Sequence, residues 1–133
     1  MKTNKILNAI LRIVPAVILL QTLFFKFSAA PESVYIFKTL GLEPWGRIGL
    51  GILELVVAIL ILVPKTTWAG ALLGLGIMGG AIFSHLTQLG LVVQNDGGVL
   101  FLLAMITFVF CAILLWKHKD QIPYWNKKSN SKI

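Results

Sequence analysis

The sequence predicts an all-α integral membrane protein built as a four-helix bundle. It is 57% hydrophobic and only 13% charged, whereas soluble domains carry about a quarter charged residues. Four apolar runs approach or exceed the roughly 20 residues that a helix needs to cross a bilayer. Polar or turn-forming segments separate these runs, so each run predicts a separate membrane-spanning helix.

The first predicted span covers residues 6–28, with Arg12 and Lys26 near its two ends. Both side chains are long enough to carry their charge toward lipid head groups. A short helix lying on the membrane surface is predicted next, because Pro31 suits a first helical turn and Gly41 suits a helix stop. This interfacial helix lies between the first and second spans.

Three further spans are predicted over residues 46–63, 68–91 and 99–116. The four spans make one transmembrane domain over residues 1–120, and residues 121–133 make a basic cytoplasmic tail. The third span contains Gly70-x-x-x-Gly74 and Gly76-x-x-x-Gly80. Such small-residue spacings let another helix approach closely, so we expect these glycines to serve helix packing and to permit a homo-oligomer.

The distribution of lysines predicts that both termini face the cytoplasm. Four spans place both termini on one side, and this side then collects Lys2, Lys5, Lys65, Lys117, Lys119, Lys127, Lys128 and Lys132. The positive-inside rule therefore gives an N-in, C-in orientation. The net charge of +7 is explained by these termini and by contact with anionic membrane lipid, and no basic-aromatic pattern indicates nucleic acid.

A carboxylate in the middle of the second span is the most informative residue. Arg47, Gly51, Glu54 and Ala58 share one helix face. Glu54 lies about 12 Å below the outer end of its helix, and an acid in hydrocarbon costs on the order of 2.5 kcal/mol or more. We therefore expect Glu54 to have a cationic or hydrogen-bonding partner.

Several polar residues of other spans reach the same depth range. We expect an outward-facing polar pocket with Glu54 at its floor, made of Lys26, Arg47, Glu54, His85 and Gln88. Lys26 and His85 form its walls, and Arg47 and Gln88 lie near its mouth. Arg12 could instead reach Glu54 from the inner side. The sequence leaves Lys26, His85 and Arg12 open as the partner of Glu54.

Two interpretations of this cluster compete. In the first, a buried ion pair and a hydrogen-bonded histidine fix the helix register, although buried pairs are not reliably stabilising. In the second, the pocket binds a polar head group or a quinone, with His85 exchanging a proton and Lys26 or Arg47 stabilising negative charge. A proton or solute path is a third use. No metal site is expected, because His85 and His118 lie on opposite sides.

The order and spacing of several motifs resemble one family of membrane proteins. They are Arg12, Phe24-Phe25-Lys26-Phe27, Gly46-Arg47-Ile48-Gly49-Leu50-Gly51-Ile52-Leu53-Glu54-Leu55 with Pro64, and Gly80-Ala81-Ile82-Phe83-Ser84-His85-Leu86. Together they resemble the DoxX family of small bacterial membrane proteins over roughly residues 11–109. A phenylalanine stands where the family usually has a small residue shortly before the lysine, which narrows any space beside Lys26.

The resemblance implies a four-helix bundle in the bacterial cytoplasmic (inner) membrane. The name-giving relatives are subunits of a thiosulfate:quinone oxidoreductase, and others are linked to redox or stress functions. We therefore expect an accessory or quinone-interacting subunit that works with a soluble or membrane redox partner. A non-enzymatic binding or scaffold protein and a small-solute transporter are the alternatives. No cofactor motif is evident, and quinone is the cofactor that the resemblance implies.

Overall fold

The structure is a computed structural model that describes residues 2–93 and 97–119, with side chains from Lys5 onward. Its regular elements are α1 (Lys2–Phe27), α2 (Pro31–Thr39), α3 (Trp45–Leu62), α4 (Thr67–Ser84) and α5 (Val99–Lys117). A short 3₁₀ turn, Pro64–Thr66, joins α3 to α4, and a π-helical turn, His85–Leu89, follows α4. All regular structure in the described ranges is helical, as predicted.

Four segments of the described chain are long and apolar enough to cross a membrane. They cover Lys5–Phe27, Trp45–Leu62, Pro64–Leu89 and Val99–Lys117, which confirms the four predicted spans. The third span is a regular α-helix only to Ser84 and continues as the π turn. The predicted tail, 121–133, lies outside the described residues, as do residues 94–96 between the third and fourth spans.

The four long helices form a ring. α1 packs against α3 and α5, and α4 packs against the same two helices, so the order around the bundle is α1, α3, α4, α5. α2 contacts α1, α3 and the π turn, which places it over the end of the bundle where α1 ends and α3 begins. The position of α2 at a membrane surface and the N-in orientation stay predictions.

The bundle is solid in one half and hollow in the other. A cluster of buried apolar side chains is centred in the half that contains the start of α1 and the end of α5: Leu11, Ala16, Val57, Ala58, Ile61, Ala71, Cys111 and Leu114. Leu19, Met78 and Ala104 extend this cluster to the wall of the cavity. In the same half, the buried hydroxyl of Thr67 lies 3.0 Å from the carbonyl oxygens of both Ile61 and Val63, and it donates to one of them at a time. A bond to Ile61 satisfies a carbonyl in the last turn of α3.

Four glycines of α4 fall into two groups with different surroundings. A β-carbon at Gly70 would lie 2.7 Å from the backbone nitrogen of Ile61, and one at Gly74 would lie 2.7 Å from Cys111 Sγ. These two glycines therefore serve the close packing of α4 that the sequence predicts. At Gly76 and Gly80 a β-carbon would meet nothing within 4 Å, so packing within the described chain does not require a glycine there.

We expect Gly70→Ala to destabilise the bundle, because the added carbon meets the α3 backbone, which cannot move aside like a side chain. Overpacking of this kind costs about 1–3 kcal/mol. The matched control is Gly49→Ala on the exposed face of α3, where a β-carbon has nothing within 4 Å. Thermal unfolding in detergent measures both, and equal melting temperatures for the two variants would contradict the close contact.

The predicted orientation is tested by cysteine labelling at two exposed lysines on opposite ends of the bundle. Lys38 lies on α2, and Lys65 lies in the turn between α3 and α4. In a Cys111→Ala background, a membrane-impermeant maleimide should label Lys38→Cys in right-side-out vesicles and Lys65→Cys in inverted vesicles. The reverse pattern would show that the chain inserts with its N-terminus outside.

Candidate functional site

The carboxylate of Glu54 makes an ion pair with Lys26 inside the bundle. Lys26 Nζ lies 3.1 Å from Glu54 Oε2, and Glu54 is only 2% exposed. The pair joins the last turn of α1 to the middle of α3. The structure thus selects Lys26 from the three partners that the sequence left open, and among the described residues no ion pair links Arg12 to Glu54.

Thr22 is a further partner of Glu54 that the sequence interpretation missed. Its hydroxyl lies 3.1 Å from Glu54 Oε2 and 2.9 Å from the carbonyl oxygen of Leu19. Because a hydroxyl has one hydrogen, it donates to one of these acceptors at a time. Thr22 precedes Lys26 by four residues, so it lies on the same helix face, and this spacing is the signal that could have identified it.

Arg47 has a different position from the expected one near the pocket mouth. Its Nε donates to both oxygens of Glu43, at 2.9 and 3.0 Å. Its Nη1 donates to the carbonyl oxygen of Lys26, one of the last carbonyls of α1, which lack helical donors. Arg47 therefore clamps the end of α1 to the start of α3. The four-residue spacing from Glu43 to Arg47 is a signal for this pair.

His85 is held in a defined orientation at the junction of α4 and the π turn. Its Nδ1 lies 2.9 Å from the carbonyl oxygen of Gly90, and a carbonyl oxygen only accepts. Nδ1 therefore carries hydrogen, and in the neutral ring Nε2 is the nitrogen with the lone pair. The ring also makes an edge-on contact with Phe101 of α5, with 5.6 Å between centroids.

The π turn explains why Gln88 departs from the predicted pocket. In a continuous α-helix Gln88 would lie one turn beyond His85 on the same face. The wider turn over His85–Leu89 changes this register, and Gln88 is exposed while His85 is only 6% exposed. No periodicity in the sequence marks the position of a π turn.

A cavity of about 620 Å³ lies between these groups in the hollow half of the bundle. Lys26, Glu54 and His85 line it, together with Thr22 and Ser33. Arg47, Gln88 and Arg12 do not belong to its wall. Most of the remaining wall is apolar, contributed by α1, α2, α4 and α5. The arrangement therefore offers a small charged region inside a largely apolar chamber.

The chemistry of this site is that of hydrogen bonding and charge. In the described part of the chain, no three His, Cys, Asp or Glu side chains come close enough together to hold a metal ion. The ammonium group of Lys26 is a donor, and the oxygens of Glu54 are acceptors. His85 accepts through Nε2 when it is neutral and donates when it is charged. The cavity thus suits an uncharged or weakly anionic polar group attached to apolar carbon.

Comparison with known proteins identifies a family for most of the chain. A family model described as the DoxX-like family matches residues 10–115. This range includes all four spans except the first residues of α1 and the last residues of α5. It contains Lys26, Glu54 and His85. Searches of curated proteins and of solved structures find no match for this chain.

We expect Arg47→Lys to lower thermal stability, although Arg47 lies outside the cavity wall. A lysine cannot reproduce the simultaneous bonds to Glu43 and to the carbonyl of Lys26, and hydrogen bonds to charged groups contribute about 1.5–3 kcal/mol. Arg12→Lys is the matched control, since Arg12 lies away from this junction. Differential scanning fluorimetry checks the prediction. Equal shifts for the two variants would show that the clamp contributes nothing specific.

Proposed function

Because the chain belongs to the DoxX-like family, we propose that it is a quinone-binding accessory subunit of a membrane oxidoreductase. The observation that carries this proposal is the buried Lys26–Glu54 pair in the wall of a largely apolar cavity among membrane-spanning helices. We place the protein in the bacterial cytoplasmic membrane, with the cavity end of the bundle facing outward.

The size and lining of the cavity fit the head group of a lipid-soluble quinone. Small-molecule sites in proteins usually measure about 300–1,000 Å³ and have apolar walls with a few polar groups. The cavity falls within this range at about 620 Å³. A quinone ring combines an apolar body with two carbonyl oxygens. This combination matches a largely apolar cavity whose wall includes Lys26, Glu54 and His85.

The polar side chains fit the two redox forms of such a ring. Lys26 can donate to a carbonyl oxygen of the oxidised form. Glu54 holds the ammonium group of Lys26 in place, and Thr22 contacts the carboxylate of Glu54. His85, with Nδ1 bonded to Gly90, presents Nε2 as an acceptor for a hydroxyl of the reduced form. Reduction of a quinone adds two electrons and two protons. We propose that a soluble or membrane partner subunit would supply the electrons and that the protons would come from water.

A scaffold role is the second candidate, and one observation favours it. The Lys26–Glu54 pair and the Arg47 clamp both join α1 to α3, which is the arrangement expected if polar groups only hold the helices in register. This alternative predicts that Glu54 matters for stability and that the cavity carries no specific ligand.

We expect gently solubilised, purified protein to contain a near-stoichiometric quinone, seen in the reduced-minus-oxidised ultraviolet spectrum of an organic extract. Glu54→Gln should lower this content about tenfold or more, because a charge-assisted contact contributes about 1.5–3 kcal/mol. The matched control is Glu43→Gln, which also breaks an ion pair but lies outside the cavity wall.

The two variants separate the proposals. Quinone lost from Glu54→Gln and retained by Glu43→Gln supports binding at the cavity. If wild-type protein contains no quinone and Glu54→Gln only lowers the melting temperature, the scaffold role is the correct one.

A further inference from the structure

Two glycines of α4 form a part of the cavity wall that is exposed and carries no side chain. Gly76 and Gly80 both line the cavity and are exposed at the protein surface. A residue that does both marks a place where the cavity opens. Since a β-carbon at either position would meet nothing within 4 Å, these glycines leave a gap that any other residue would narrow.

The opening lies beside α3, as the helical repeat of α4 shows. Gly70 faces Ile61 of α3, and Ile77 and Ser84 follow it at seven-residue intervals, so they lie on the same side of α4. Gly80 is three residues after Ile77 and four before Ser84, next to this side and toward the outside of the bundle. Leu50 of α3 also lines the cavity.

The depth of the opening indicates what lies outside it. Gly80 precedes Ser84, the end of α4, by four residues, which is about 6 Å at the α-helical rise, and the π turn His85–Leu89 carries the span further toward the surface. Gly76 is one turn deeper. In a hydrocarbon core about 30 Å thick, an opening at this depth faces acyl chains, not head groups or water.

Other parts of the wall reach the surface with larger side chains. Between α1 and α5 the exposed lining residues include Phe25 and Val99, and beside α2 they include Glu32 and Leu42. The first of these places carries side chains on its exposed lining residues, and the second is at the end of the bundle. At Gly76 and Gly80, in contrast, the exposed lining carries no side chain.

We propose that the gap between α3 and α4 at Gly76 and Gly80 is a lateral channel for the isoprenoid tail of a lipid quinone whose head group lies at Lys26, Glu54 and His85. This inference rests on the proposed function. The ligand reaches the cavity from within the bilayer, and its tail remains in the gap while the head group is bound. The site then selects quinones with long tails over water-soluble ones.

The test uses two probes, a benzoquinone with a decyl tail and the same benzoquinone without it. Binding to the full-length protein in nanodiscs is measured by equilibrium dialysis. Gly80→Leu should weaken the decyl probe about tenfold or more and leave the tailless probe unchanged. Gly49→Leu is the matched control, because Gly49 is an exposed helical glycine with an equally open β-carbon position and lies outside the cavity wall. It should leave both probes unchanged.

Several outcomes would overturn the channel. One is a Gly80→Leu variant that binds the decyl probe as the wild type does. Another is a Gly80→Leu variant that binds both probes equally weakly, which would place the added side chain in the head-group site. If Val99→Phe weakens the decyl probe and Gly80→Leu does not, the tail leaves between α1 and α5. A fall in oligomer mass with binding retained would assign the glycines to an interface between copies.

Two further results keep the test decisive. Gly76→Leu narrows the same gap one turn away, so it replaces Gly80→Leu if that variant does not fold. If wild-type protein binds the tailless probe and the decyl probe equally well, the channel fails and the proposed function stands. If it binds neither probe, the proposed function fails as well.

Discussion

The burial of one carboxylate constrains much of this structure. Glu54 lies in the middle of a membrane-spanning helix, where an unpaired charge is costly, and it is satisfied by Lys26 and Thr22 of α1. Both partners lie in the last two turns of α1, so this part of α1 must lie beside the middle of α3. Gly51 permits the approach, because a β-carbon there would lie 2.9 Å from the Phe27 ring. The Arg47 clamp then joins the same two helices closer to the start of α3.

The location of the ion pair is more informative than its existence. A buried pair is weak evidence for stability, since the desolvation of two charges can exceed their attraction. In this bundle the pair does not lie in the filled half, where Ala16, Ala58 and Ala71 bring the helices together. It lies in the wall of the cavity, at the hollow end that α2 covers. An interaction needed only for register would be equally effective in the packed half.

Hydropathy predicted the four spans, because the need to bury backbone polar groups in lipid leaves helices as the solution for long apolar runs. It did not predict which cation meets Glu54. The number of residues from a helix end gives the depth of a side chain only if all helices begin at the same level. Here the last residues of α1 contact Arg47 and Gly51, which lie in the first two turns of α3. The same reasoning misplaced Gln88, because the π turn changes the register after His85.

The glycines of α4 show why sequence spacing could not identify the open side of the site. Gly70-x-x-x-Gly74 and Gly76-x-x-x-Gly80 follow the same pattern, yet only the first pair meets a neighbouring helix or side chain closely. A glycine in the sequence shows that a side chain is absent, but it does not show what occupies the space where the side chain would be. At Gly70 the α3 backbone occupies it. Gly80 lines a cavity with a charged pair in its wall, and the tail of the proposed lipid ligand would occupy the space beside it.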